Sequence, residues 1–230
     1  MDKEALNENQ LAFVRCDRNA LLLASAGTGK TKSVAAKVSR LINEKGMDSS
    51  QILCLSFTNK ACEQMRERIL TDVSGAAFKS TIKTFHAFCF QIIAEEKQRT
   101  TGLFPEQTIY DEDDCLEVVK SFSEADAEWV QKFINAIKEA RIVKEIFTGN
   151  DVSDCLQAAD ALTEEEKAAL RKSFGKRAGL LEDFFAKKEI FLRSYQGVLF
   201  ENHASDFNDL VSGVYLLFRN PSTVKRWQDK

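Results

Sequence analysis

One short run of residues near the start of the chain combines small residues, glycines, a lysine and a hydroxyl in a fixed order. The run consists of Ala24, Ser25, Ala26, Gly27, Thr28, Gly29, Lys30 and Thr31. Glycine permits the backbone conformations in which successive N–H groups converge on an anion. The Lys30 ammonium would reach the β- and γ-phosphates of a nucleoside triphosphate, and the Thr31 hydroxyl is a suitable ligand for Mg²⁺. The run therefore predicts a loop that binds ATP with Mg²⁺.

The neighbouring residues place this loop between a strand and a helix. Residues 20–24 are apolar and predict a strand, and residues from 30 to about 45 show helical periodicity. A phosphate loop has to stand in that position, because the positive end of the following helix then faces the bound phosphates.

Other residues suit contacts with a base or with a nucleic-acid strand. Gln10 precedes the predicted strand, and its amide offers a donor and an acceptor that match the N6/N7 edge of adenine. Two further predicted strands end in polar and aromatic residues, which are Phe57, Thr58 and Asn59 after one strand and Phe85 and His86 after the other. A helix N-terminus can hold a backbone phosphate, and an aromatic ring can stack a base. Each residue also has a structural interpretation, as a helix cap, a buried aromatic or a solvated side chain.

The secondary-structure pattern changes at about residue 90. Before it, strands predicted at 20–24, 52–57 and 81–85 alternate with helices, which is typical of a parallel sheet with crossover helices. After about residue 100 apolar residues recur at helical spacing, which predicts an all-helical segment. Residues 1–90 carry 13 Lys and Arg against 9 Asp and Glu, whereas the whole chain has a net charge of −3. Any nucleic-acid surface is therefore expected in the first part.

Composition narrows the class of protein. The 230 residues are 44% hydrophobic and include two prolines, which indicates a mostly helical globular chain. The six cysteines form no CxxC pair, which favours a reducing compartment. No apolar run is long enough for a membrane span, and the charged N-terminus does not resemble a signal peptide. We therefore expect a cytoplasmic protein with no membrane partner.

Four ordered segments resemble the motifs of one family. LNENQ, ASAGTGKT, SFTNKACEQMRERI and TFHAFC follow the order and spacing of the Q motif and motifs I, Ia and Ib of UvrD/Rep/PcrA-like superfamily 1 DNA helicases. Further on, QTIYD and DFNDL resemble the segments at which an inserted domain of that family, called 1B, begins and ends. The Ser25-Ala26 form of the loop is more similar to the RecB/AddA branch, whereas FTNKA is more similar to UvrD and Rep, so the branch stays open.

The resemblance implies an α/β fold: an incomplete RecA-like P-loop NTPase domain with a parallel sheet, called 1A, that carries an all-helical 1B insertion. Residues 1–90 would form the first part of 1A, residues 91–204 the insertion, and residues 205–230 the helices that return to 1A. Gln10 would read adenine, the loop would hold ATP and Mg²⁺, and the residues after the two strands would line a single-strand path. Family members often carry Arg where this chain has Lys32, which lacks a planar stacking group, so its contact with the base is expected to be weaker.

The implied function is that of an ATP-dependent DNA helicase that acts 3′ to 5′ on single-stranded DNA or a duplex/single-strand junction. The family's catalytic strand ending in Asp-Glu, and a second RecA-like domain with arginine fingers, are not found in the 230 residues. We therefore expect the longer parent to hydrolyse ATP and this chain alone to lack hydrolysis. The TIYDE segment is too short for a buried strand, and Asp111 is predicted to cap a helix.

Two other classes of function are compatible with the phosphate loop alone. A non-motor P-loop protein, such as a small-molecule kinase, should offer an acceptor site and an Arg-rich lid, and the sequence shows neither. A regulatory scaffold fragment would neither bind nor turn over nucleotide. The presence of four motifs in the family's order favours the helicase.

Overall fold

The computed structural model describes residues 6–25, 27–73, 79–102, 106–123, 126–148 and 150–229. Within these ranges the chain is a mixed α/β protein, mostly helical, with two small parallel sheets. It divides into two compact units, residues 1–88 with 226–230 and residues 89–225. The assignment of residues 1–90, 91–204 and 205–230 to family domains stays a prediction. None of the described helices is both long and apolar enough to cross a membrane.

The first unit consists of helices and a two-stranded sheet. Its elements are α1 (Glu8–Arg15), α2 (Lys30–Asn43), a 3₁₀ turn (Ser49–Gln51), β1 (Leu53–Ser56), α3 (Asn59–Leu70), β2 (Thr81–Thr84) and the beginning of α4 (Phe85–Thr101). The two strands are parallel, with Leu53 opposite Thr81 and Ser56 opposite Thr84. Apolar side chains of α2, α3 and both strands form one buried core, in which Ile69 is inaccessible to solvent. The prediction of two parallel strands joined by a helix is therefore confirmed.

Residues 20–24 do not form the strand predicted before the loop. They are not part of any sheet, and Leu21 and Leu23 are 84% and 83% exposed. An apolar run becomes a strand only where a neighbouring strand completes its ladder of hydrogen bonds. In the described part of this unit the sheet contains β1 and β2, which pair with each other. The prediction was wrong because residue types reveal an apolar run but not the partner that it needs.

The second unit is almost entirely helical. Its elements are the rest of α4, β3 (Thr108–Ile109), α5 (Glu112–Lys120), α6 (Ala127–Val143), α7 (Asp151–Asp160), α8 (Glu164–Phe174), a 3₁₀ turn (Gly175–Arg177), α9 (Leu180–Ala186), α10 (Lys188–Glu201), β4 (Ala204–Ser205), α11 (Phe207–Phe218) and most of α12 (Pro221–Gln228). β3 and β4 form a short parallel pair, with Thr108 opposite Ala204. Phe133, Ile134 and Ile137 of α6 are fully buried at the centre of this unit.

The TIYDE segment ends in a helix cap, as expected. The Asp111 carboxylate accepts hydrogen bonds from the backbone N–H groups of Asp113 at 2.9 Å and Asp114 at 3.0 Å. The short strand before it pairs with β4, within the second unit. Asp111 and Glu112 therefore belong to the start of α5, where acidic residues favour the positive end of the helix.

The cysteine side chains contribute to packing. All six are free, and five of them are buried. Burial raises the pKa of Cys115 and that of Cys155 to about 11. Both thiols are therefore protonated at neutral pH and pack as small apolar groups.

Candidate nucleotide and nucleic-acid site

The phosphate loop enters α2 through two glycines in the left-handed region. Gly27 has a φ of 76° and Gly29 a φ of 86°, values that residues with a side chain rarely adopt. Gly29 is the N-cap residue of α2, so the helix begins at Lys30. The first N–H groups of a helix lack partners within the helix, and its N-terminus carries a partial positive charge. The end of α2 at this loop is therefore suited to an anion.

Lys30 folds back over the backbone of the loop. Its Nζ donates hydrogen bonds to the carbonyl oxygens of Ala24 at 2.7 Å and Ser25 at 3.0 Å. The Thr28 hydroxyl donates to the same Ser25 oxygen at 2.7 Å. Because the Lys30 side chain is exposed, phosphate oxygens can replace these carbonyls as acceptors for the ammonium group.

Gln10 contacts the loop from α1. Its Nε2 donates to the Thr28 carbonyl oxygen at 3.0 Å, and its Oε1 accepts from the Asn7 backbone N–H at 2.9 Å. The Asn7 side chain in turn accepts from the Gln10 N–H at 2.9 Å, which completes a capping box at the start of α1. Gln10 is thus half-buried beside the loop, and its structural interpretation as part of a helix cap is confirmed.

Three predicted site residues remain, of which two lie in the first turn of α2. Thr31 and Lys32 are the second and third residues of α2, and both are half-buried. Ala26 lies outside the described residues. The structure therefore brings Gln10, Ser25 and Lys30 together around the loop, with Thr31 and Lys32 at its helical end.

The parallel register of β1 and β2 brings the predicted single-strand residues to one edge of the sheet. Ser56 lies opposite Thr84, so Phe57 and Phe85 directly follow neighbouring strand ends. Phe57 is 93% exposed and Phe85 is 45% exposed, so neither is the buried aromatic that the structural interpretation requires. An exposed ring at such an edge is available for stacking on a base.

The polar residues at this edge begin the two following helices. The Thr58 hydroxyl accepts from the Ala61 N–H at 3.1 Å and caps α3, of which Asn59 is the first residue. The His86 ring stands edge-on to the Phe85 ring, with centroids 6.1 Å apart. Burial lowers the pKa of His86, so its imidazole is neutral at pH 7 and offers a hydrogen bond and a ring face but no charge.

A buried ion-pair cluster in the second unit holds the DFNDL segment, and the sequence reading missed it. Lys138 Nζ lies 2.6 Å from Asp206 Oδ2 and 2.7 Å from Asp209 Oδ1, and the Lys138 side chain is 1% exposed. The Tyr195 hydroxyl donates to Asp206 at 3.0 Å. Burial alone would lower the pKa of Lys138, but the carboxylates of Asp209 and Asp206 outweigh it and raise the pKa. A charged lysine therefore ties α6 to the beginning of α11.

One signal for this cluster is present in the sequence. Lys138 and Arg141 are buried on α6 together with Phe133, Ile134 and Ile137, at helical spacing along one stripe. A cation within an apolar stripe needs an acidic partner when the stripe is buried. The partner Asp206 lies 68 positions further along the chain, so its identity is set by the tertiary fold.

Comparisons with known proteins agree with the motif order. The family described as UvrD/REP helicase N-terminal domain matches residues 6–230. A probable DNA helicase II homolog of Mycoplasma capricolum is 31% identical over 98% of this chain, which corresponds to 29% of that protein. The ATP-dependent DNA helicase PcrA of Bacillus subtilis is 29% identical over 96% of this chain, or 27% of its own length. A probable DNA helicase of Mycoplasma pneumoniae is 27% identical over 90% of this chain, or 36% of its own length. The chain thus spans about a third or less of these relatives.

Proposed function

This chain belongs to the UvrD/REP helicase N-terminal domain family, and from that premise we propose that it is the ATP-binding and single-strand-binding part of an ATP-dependent DNA helicase. The observation that carries the proposal is the loop at the start of α2. There two glycines with positive φ, the Lys30 ammonium and a contact from Gln10 meet at one helix N-terminus. This combination suits a nucleoside triphosphate, since a nest of N–H groups and a lysine each favour phosphate.

The residues of the loop fit ATP with Mg²⁺. In the proposed complex the Lys30 ammonium leaves the Ala24 and Ser25 carbonyls for the β- and γ-phosphate oxygens. The Thr31 hydroxyl, in the first turn of α2, is the proposed Mg²⁺ ligand. Bound Mg²⁺ would neutralise charge that develops on the phosphates during transfer. The Gln10 amide is the proposed reader of adenine, and Lys32 would lie near the base without the stacking surface of an arginine.

The finer architecture is also part of the proposal. The first unit would correspond to the RecA-like domain 1A, with residues 91–204 as a 1B insertion and residues 205–230 returning to 1A. The longer parent would supply the second RecA-like domain, move 3′ to 5′, and act at single-stranded DNA or a duplex/single-strand junction. The similarity of nearly the whole chain to proteins named DNA helicases supports this assignment.

Nucleotide binding is tested by titration calorimetry of the 230-residue chain with Mg-ATP. We expect saturable binding and a raised midpoint of thermal unfolding, because a ligand that binds only the folded state stabilises it. The absence of both heat and a thermal shift at millimolar Mg-ATP would contradict the proposal and favour a scaffold fragment.

Changing Phe57 to alanine is expected to weaken binding of an oligothymidine by about 1 to 3 kcal/mol, the usual contribution of one stacked base. The matched control is Phe200→Ala, because Phe200 is also strongly exposed, at 83%, but lies in the second unit. Fluorescence anisotropy at several salt concentrations measures both variants. Binding should also weaken as salt rises, since phosphate contacts release counterions. Equal losses of oligothymidine affinity in the two variants would mean that the sheet edge at Phe57 does not bind the single strand.

A polypeptide of these 230 residues is expected to bind ATP without turning it over. Hydrolysis needs a group that orients the attacking water, and a trans-acting arginine alone contributes about 10³ to 10⁵ in rate. The sequence offers Lys30 and Thr31 for binding but no apolar strand ending in Asp-Glu after them. A phosphate-release assay with and without oligothymidine measures this. DNA-stimulated turnover that is lost in Lys30→Ala would contradict the prediction.

A further inference from the structure

Both the nitrogen and the oxygen of the Gln10 amide form hydrogen bonds. Its nitrogen donates to the Thr28 carbonyl oxygen at 3.0 Å, 18 positions further along the chain. Its oxygen accepts from the Asn7 backbone N–H at 2.9 Å. The side chain therefore joins the N-terminus of α1 to the phosphate loop.

The contact with Thr28 orients a loop peptide. A trans peptide is planar, and its C=O and N–H groups point in opposite directions. When Gln10 holds the Thr28 carbonyl, the Gly29 N–H is turned to the side of the peptide that faces away from Gln10. That N–H is one of the loop donors that a bound phosphate would use.

The loop is also shaped to admit this contact. A Cβ added at Gly29 would stand 2.9 Å from Gln10 Nε2, closer than real Cβ contacts, in addition to the strain of a φ of 86°. The φ of 86° is what requires glycine here. The absence of a side chain at Gly29 also leaves room for the Gln10 amide, which would have to shift if a Cβ were present.

Half of the hydrogen-bonding capacity of Gln10 remains for a ligand. A carboxamide has two N–H donors and two acceptor lone pairs, and Gln10 uses one of each in the two contacts described. Adenine can accept from one donor at N7 and donate from N6 to one lone pair, which needs only the remaining half. Reading the base and holding the loop are thus compatible in one side chain.

We infer that Gln10 is a positioning residue for the phosphates: it orients the Thr28–Gly29 peptide and so links adenine recognition to the geometry of the phosphate loop. The inference rests on the proposed nucleotide-binding function, which it deepens. The inference differs from base reading alone because it requires that removal of the Gln10 amide weaken the binding of a ligand that has no base.

The test compares Mg-ATP with magnesium tripolyphosphate by titration calorimetry on the 230-residue chain. Gln10→Met keeps a similar length but removes all four hydrogen-bonding positions. Asn7→Ala is the matched control, since it removes the side-chain cap of α1 but leaves the Asn7 N–H and the Thr28 carbonyl available to Gln10. Circular dichroism confirms that each variant is folded before titration.

We expect Gln10→Met to weaken tripolyphosphate binding by about threefold to tenfold, as for the net loss of one hydrogen bond, and to weaken Mg-ATP binding further. Asn7→Ala should bind both ligands as the unaltered chain does.

If Gln10→Met weakens the binding of Mg-ATP alone, Gln10 only reads the base and the inference is overturned. If Asn7→Ala weakens tripolyphosphate equally, the effect belongs to the end of α1 and the inference is again overturned. If the unaltered chain binds neither ligand, the proposed function itself fails.

Discussion

Replacing Lys30 by alanine is expected to weaken Mg-ATP binding by about 1.5 to 3 kcal/mol, the contribution of hydrogen bonds to a charged group. The Lys30 ammonium already lies within hydrogen-bonding distance of two loop carbonyls, so it needs little rearrangement to reach phosphate oxygens. The charge is also exposed, and a bound triphosphate would shield it from water. Titration calorimetry measures the difference in affinity, which corresponds to about tenfold or more.

Lys45→Ala is the control for this change. It removes the same charge from a residue just beyond the end of α2, where Lys45 pairs with Asp17 at 2.8 Å on the surface. We expect the affinity of this control for Mg-ATP to stay close to that of the unaltered chain. Equal affinities for Lys30→Ala and the unaltered chain would mean that Lys30 does not hold the phosphates.

Replacing Lys138 by methionine is expected to lower the free energy of unfolding by about 3 to 5 kcal/mol, the usual cost of removing one partner of a buried ion pair. Methionine keeps most of the side-chain volume, so the effect comes from leaving the carboxylates of Asp206 and Asp209 buried without their cation. Urea unfolding followed by circular dichroism measures the loss. Failure of the variant to fold would be the same result in a stronger form.

A surface pair of equal length provides the control. Lys120 Nζ lies 2.6 Å from Glu117 Oε1, the same distance as between Lys138 and Asp206, but both side chains are largely open to water. Exposed ion pairs contribute little to stability because water and salt screen them. Lys120→Met should therefore unfold at nearly the same urea concentration as the unaltered chain. A small effect at both lysines would show that burial does not set the strength of the Lys138 cluster.

Local signals in the sequence are sufficient to predict much of the secondary structure of the first unit. The positions of β1 and β2 follow from short apolar runs bounded by polar residues, and the left-handed backbone before α2 follows from the glycines there. In the second unit, the cap at Asp111 likewise follows from two acidic residues three positions apart, which determine the start of a helix locally. Each of these features depends on residues that are close in sequence.

Features that depend on distant residues could not be predicted in the same way. Residues 20–24 have the composition of a strand, yet a strand also needs a neighbour, and none pairs with them among the described residues. The buried position of Lys138 on α6 indicates an acidic partner without identifying Asp206. Likewise, the sequence offers Gln10 as a reader of adenine, but its contact with Thr28 depends on how α1 meets the loop.

The most direct test of the account is to observe which backbone amides respond to nucleotide. Titrating Mg-ATP into the ¹⁵N-labelled chain is predicted to shift the amide resonances of Gly27, Gly29 and Lys30 most strongly, because their N–H groups lie in the proposed phosphate site. The resonance of Gln10 should shift with them, as its side chain contacts the loop. Shifts confined to residues 89–225, or no shifts at millimolar Mg-ATP, would contradict the account.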